Sequence, residues 1–291
     1  MIALTVALAV LVGVSLGLLG GGGSILTVPL LAYVAGLDAK QAIATSLLVV
    51  GVTSAIGAVS HARAGHVQWR TGLVFGVAGM AGAYGGGVVA RFIPGSVLLI
   101  GFAVIMIATA VAMLRGRKNV ESGGMDKPLP VVKIVIEGLV VGLVTGLVGA
   151  GGGFLVVPAL ALLGGLPMPL AVGTSLVVIA MKSFAGLAGY LSSVQINWAL
   201  AGAVTAAALV GGLVGARLTT RVNPDALRKG FGWFVLAMSS VILAQEAHPA
   251  LGIAAASMTV LAGSATFVCS RYAHCPLRRL TMRIGVTAAR T

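Results

Sequence analysis

Leu18-Leu19-Gly20-Gly21-Gly22-Gly23-Ser24-Ile25-Leu26-Thr27-Val28-Pro29 and Leu147-Val148-Gly149-Ala150-Gly151-Gly152-Gly153-Phe154-Leu155-Val156-Val157-Pro158 are one motif written twice, 129 residues apart. Without a gap, the same offset pairs Ala42, Thr45, Ser46, Leu47, Ser54, Gly57 and Trp69 with Ala171, Thr174, Ser175, Leu176, Ser183, Gly186 and Trp198. Roughly 20 of the 53 pairs from Gly17 to Trp69 are identical. The identities include Pro, Thr, Ser and Trp, so biased composition does not account for them. The chain is a duplicated unit. In a membrane protein, duplication is the mark of a two-half transporter with its site between the halves.

Composition places the chain in a membrane. Of its 291 residues, 58% are hydrophobic and 9% are charged, against about 25% charged in a soluble domain. The 43 glycines fit helices that approach closely in lipid, where apolar burial no longer drives association. The net charge of +13 does not indicate nucleic acid. No basic face with interleaved aromatics exists, and the basic residues sit in short loops and a tail. Cys269 and Cys275, with His274, do not make a four-ligand zinc site, and they read as two reduced cytoplasmic thiols. Met1 to Leu19 lacks a basic leader, and its second part repeats the sequence at Gly146, so it reads as the first transmembrane helix.

Apolar runs predict full-length helices at 2–19, 41–60, 72–90, 97–114, 134–149, 170–189, 199–216, 230–246 and 249–268. The pieces 24–36 and 153–165 follow the glycine clusters and carry Pro29 and Pro158. They are too short to span and read as half-helices or return arms. If each cluster is a reversal point and the N-terminus lies outside, all Lys and Arg except Lys40, Arg91 and Lys182 fall in cytoplasmic loops or the tail. If 1–36 and 134–165 each cross once, the positive-inside rule fails. The first arrangement has an odd number of crossings per half. The expected fold is therefore all-α and polytopic: two inverted-topology repeats with helices broken at the Gly-rich motifs. The expected units are a first repeat at 1–118, a cytoplasmic linker at 119–130, a second repeat at 131–246, and an appended helix and basic tail at 247–291, the tail facing anionic lipid.

Candidate chemistry lies where the halves agree. Consecutive glycines let backbone N–H groups turn inward, and the helix that follows presents its positive end. Irregular backbone survives in a membrane only in a cavity or buried in protein. Gly21, Gly22, Gly23 and Ser24, with Gly151, Gly152 and Gly153, would form an anion cradle; the alternative is close helix packing alone. Thr45 and Ser46, matched by Thr174 and Ser175, either line the substrate or bond back to carbonyls one turn earlier. Lys182 is the one ionisable residue well inside a span. It lies about 12 Å from the nearer helix end, too deep to snorkel comfortably, and such a residue marks a site or pathway. His61 and His66 read as loop residues, Trp69 and Trp198 as interfacial anchors, and Glu137 as an i,i+4 partner of Lys133.

No Asp or Glu lies in mid-membrane, and no triad, HExxH or Walker motif is present. The chain is not expected to be an enzyme, and neither a cofactor nor a metal is expected. The duplicated Gly-rich, Pro-containing motif, the helix with Thr-Ser and the loop ending in Trp resemble the TauE/SafE family across about residues 5 to 245. That resemblance implies secondary transport of sulfur-containing anions (sulfite, thiosulfate, sulfoacetate or related organosulfonates) across a prokaryotic inner membrane. Inverted halves are what alternating access exploits, and with no intramembrane carboxylate any proton coupling would run through bisulfite or Lys182. An anion channel in the same scaffold is one alternative. A membrane-embedded enzyme or sulfur-relay partner using Cys269 and Cys275 is another.

Overall fold

A computed structural model describes residues 2–19, 22–115, 131–149, 152, 153, 156, 160, 168–218, 224–246 and 257. Their regular structure is all helical. The helices are α1 (Ile2–Leu19), α2 (Ala39–Arg63), α3 (Trp69–Ala90), α4 (Gly95–Arg115), α5 (Val131–Val148), α6 (Met168–Leu191), α7 (Trp198–Leu218) and α8 (Pro224–Glu246). Between α1 and α2 the chain is broken as expected: a 3-10 turn at Gly22–Leu26, one α-turn at Thr27–Pro29 and a π-turn at Leu30–Val34. The 119–130 linker, most of 153–165 and nearly all of 247–291, including Cys269 and Cys275, lie outside the described residues.

Among the described residues, four helical stretches are long and apolar enough to cross a membrane: Ala39–Arg63, Trp69–Ala90, Leu170–Leu191 and Trp198–Gly215. α1, α4, α5 and α8 are apolar as well, over at least Leu4–Gly17, Gly95–Val111, Ile134–Val148 and Gly232–Glu246. The sequence supplies the helix ends. Asp38 caps α2 by accepting from the Lys40 N–H at 3.2 Å, and Asn197 caps α7 by accepting from the Leu200 N–H at 3.1 Å. Trp69 and Trp198 each open a helix, and both are exposed.

The core is the crossing of α2 and α6. Gly51 lies against Ser183 and Phe184, Gly57 against Leu176, and Gly186 against Leu47. Early residues of one helix thus meet late residues of the other, so the two run antiparallel. Parallel pairs flank them. In α1–α7, Gly13 lies on the Ala208 carbonyl, Gly211 on that of Val10 and Gly215 on that of Val14. In α5–α3, Gly142 lies on the Gly79 carbonyl, Gly82 on that of Leu139 and Gly86 on that of Leu143. Adding 129 to the α1 members gives the α5 members, and adding 129 to the α3 members gives the α7 members. Any side chain at these glycines would overlap a backbone carbonyl, so the pairs depend on bare backbone and on weak Cα–H···O contacts. α4 and α8 pack together, and their Phe102, Met106, Val235 and Ile242 join the same buried cluster as Ile43 and Leu47 of α2. The Tyr33 hydroxyl donates to Glu246 Oε1 at 3.2 Å, tying the broken segment to the end of α8.

Candidate functional site

Lys182 sits at mid-length on α6 and is 1% exposed. Its Nζ has no hydrogen-bond partner among the described residues. The amine lies against Gly152, where an added Cβ would overlap both Lys182 Nζ and Thr145 Cγ2. Gly152 has φ +64 and Gly149 has φ +75, conformations that disfavour any Cβ. The Val156 N–H donates to the Gly152 carbonyl at 2.9 Å, so a helical turn begins beside the amine. A protonated Lys182 would add its charge to the positive end of that turn. Both charges are of one sign, and an anion between them would offset both. Gly79 of α3 completes the wall, close to the Lys182 stem.

The motif residues divide. Ser46 Oγ donates to the Gly149 carbonyl at 2.9 Å, joining the first half's Thr-Ser helix to the second half's glycine cluster. Thr45 beside it is buried. Thr174 lies at the far end of α6, where its hydroxyl accepts from the Gln68 N–H at 2.9 Å. Ser175 donates back to the Val172 carbonyl at 2.7 Å. These bonds hold backbone; neither brings Thr174 or Ser175 to Lys182, about 10 Å along the helix. Gly22, Gly23 and buried Ser24 form the 3-10 turn of the first half. Gly153 is buried beside Gly152, while Gly21 and Gly151 lie outside the described residues.

One residue of the pocket was not singled out from the sequence. Thr145 touches the lysine pocket, although its hydroxyl is bonded to the Gly142 carbonyl at 3.0 Å. The Ser54 and Ser183 hydroxyls are a matched pair, both buried without a partner among the described residues. His61 belongs to the last turn of α2, which runs on to Arg63, and not to a loop; its Nδ1 is buried without a partner among the described residues. The useful signal was disagreement between the halves: Thr145 faces Leu16 in the alignment, and Lys182 faces Thr53. Thr53 instead bonds back to the Val49 carbonyl at 2.8 Å. It lines a cavity of about 150 Å³ between α1, α2 and α7, with Leu16, Gly57, Ser60, His61 and Leu213 also in its wall.

The profile of the family described as sulfite exporter TauE/SafE matches residues 5–242. The chain belongs to the TauE/SafE family. A probable membrane transporter protein of Xylella fastidiosa is 34% identical over 238 residues, covering 80% of this chain and 91% of the relative. Another from Methanocaldococcus jannaschii is 31% identical, covering 64% and 72%. A third, from Bacillus subtilis, is 26% identical, covering 80% and 96%. No solved structure matches. This TauE/SafE chain is thus a multi-pass membrane transporter, not an enzyme, and its relatives are prokaryotic.

Proposed function

We propose that this chain is a secondary transporter of sulfur-containing oxyanions such as sulfite, thiosulfate or a small organosulfonate. The carrying observation is the buried Lys182 amine, unpartnered among the described residues, against the bare backbone of Gly152. A buried, unpaired ammonium is costly; a bound oxyanion supplies its counter-charge and accepts from backbone N–H groups. Among the described residues no group of three or more His, Cys, Asp or Glu offers a metal site. Lys182 with Gly152 and Gly153 forms the charged half of the site. Gly22, Gly23 and Ser24 are its uncharged counterpart, and the Thr-Ser pairs hold the surrounding backbone.

Units 1–118 and 131–246 are inverted repeats in this reading. Antiparallel α2 and α6, equivalent in sequence, support it, as do the matched carbonyl contacts of α1–α7 and α5–α3. The basic residues support an N-terminus outside and a cytoplasmic C-terminus at a prokaryotic inner membrane. Purified protein in proteoliposomes tests the function. Preloaded sulfite should drive accumulation of labelled sulfite above its equilibrium level, and chloride should not. Passive conductance without such exchange would replace the transporter with a channel.

A further inference from the structure

We infer that the structure is one end state of a rocking motion, with the α1–α7 pair lifted off α2 and the α5–α3 pair seated on α6. This rests on the inverted-repeat reading and names the parts that move. The outer pairs are internally equivalent. Gly13 on the Ala208 carbonyl matches Gly142 on that of Gly79; Gly215 on that of Val14 matches Gly86 on that of Leu143. Each pair is one rigid unit, because its backbones touch without intervening side chains.

How the units seat on the central helices differs. α3 packs along α6, whereas the equivalent contact of α7 with α2 is much thinner. A Cβ on Gly189 would lie 2.7 Å from the Tyr84 carbonyl oxygen and 3.0 Å from Gly87 Cα. A Cβ on Gly87 would lie 2.6 Å from the Gly186 oxygen. The equivalents of Gly186, Gly189 and Tyr84 are Gly57, Ser60 and Leu213, and all three line the open cavity. A Cβ on Gly57 meets the Leu176 side chain and no backbone of α7. The cavity is the seat that α7 has vacated. Its mirror image is the sealed face that covers Lys182.

In the opposite state α7 seats on Gly57 and Ser60, closing the cavity, while α3 leaves Gly186 and Gly189. Gly79 then withdraws from the Lys182 stem, and the amine opens toward the other side of the membrane. Nothing in the central α2–α6 crossing needs to move. Residues 60 and 216, equivalent to Gly189 and Gly87, then come backbone to backbone, within the Cα separation a disulfide requires.

The test uses full-length protein in liposomes with Cys269→Ser and Cys275→Ser. Ser60→Cys and Ala216→Cys are introduced together, with Ala83→Cys as a third, reporting thiol on the sealed face. Before oxidation, a water-soluble maleimide should label residue 60 quickly and residue 83 slowly. Copper-catalysed oxidation should trap a disulfide between 60 and 216. Labelling at 83 should then rise by about tenfold or more, because the trapped state replaces the resting one, and dithiothreitol should reverse the rise. Leu213→Cys in place of Ala216→Cys provides a second bridge if the first variant folds poorly. Freely reactive thiols that never cross-link would overturn the inference, and so would a trapped disulfide that leaves labelling at 83 unchanged. No substrate is used, so a failed sulfite assay and a failed cross-link remain separate results.

Discussion

The two faces of the α2–α6 crossing were built from one sequence unit and have become chemically unlike. On one face Lys182, Thr145, Gly152 and Gly79 close around an amine with almost no exposure. On the other the equivalents are Thr53, Leu16, Gly23 and Ala208, and the face carries a cavity of about 150 Å³ and no cation in its wall. Duplication preserved what holds the helices together, namely bare backbone at matched glycines. It released the residues that, on the proposed reading, meet the cargo. A site on the axis between two copies needs only one positive charge for a singly charged anion, and a second buried ammonium would double the cost of burial.

The largest effects should come where the halves are alike. Gly82→Leu and Gly211→Leu each force a side chain onto a carbonyl, that of Leu139 or of Val10. Each should cost about 3 kcal/mol or more by overpacking, and thermal denaturation in detergent should show matched losses. A loss confined to one of them would break the equivalence of the outer pairs.

Gly152→Ala against Gly36→Ala isolates the lysine pocket. Both glycines have positive φ, but a Cβ at Gly36 meets nothing within 4 Å. Both should cost about 1–2 kcal/mol in backbone strain. Gly152→Ala should in addition displace Lys182 and weaken sulfite binding by roughly tenfold or more, about 1.4 kcal/mol, read by titration calorimetry. Equal binding in the two variants would separate the glycine cluster from the site.

Exchanging mates probes the seats. Gly189→Ser places a side chain between α3 and α6 and should cost about 1–3 kcal/mol. Ser60→Gly, beside the open cavity, should change melting only by the helix penalty of glycine, about 1 kcal/mol at most. The smallest contrast is Ser46→Ala against Ser175→Ala. The first loses the bond to the Gly149 carbonyl and about 1 kcal/mol. The second loses a local bond to Val172 and should be nearly silent.

Much of this was legible in the sequence. The repeat, the helix starts at Trp69 and Trp198, the break at the first glycine cluster and the isolation of Lys182 all follow from residue type and spacing. The partner of each hydroxyl was not. Ser46 and Ser175 occupy equivalent positions, yet one bonds across the halves and the other along its own helix. Only the approach of Gly149 to α2 decides that. His61 was hidden for a similar reason: helix propensity through Ser60 to Arg63 is ordinary, and α2 ends at Arg63, two residues before Gly65, where φ +71 allows the turn. The contact of Lys182 with Gly152 joins residues on separate elements, and no local pattern encodes it.

On the proposed reading, Lys182 is retained for an anion at a cost to the fold. Lys182→Met keeps the length of the side chain and removes the amine. The decisive measurement is sulfite binding and thermal melting of that variant, on one preparation beside wild type. Affinity should fall by about one hundred-fold or more, while the melting temperature without sulfite should hold or rise, since an uncompensated polar group has left the core. Near-wild-type affinity with a lowered melting temperature would make Lys182 a structural residue and contradict the account.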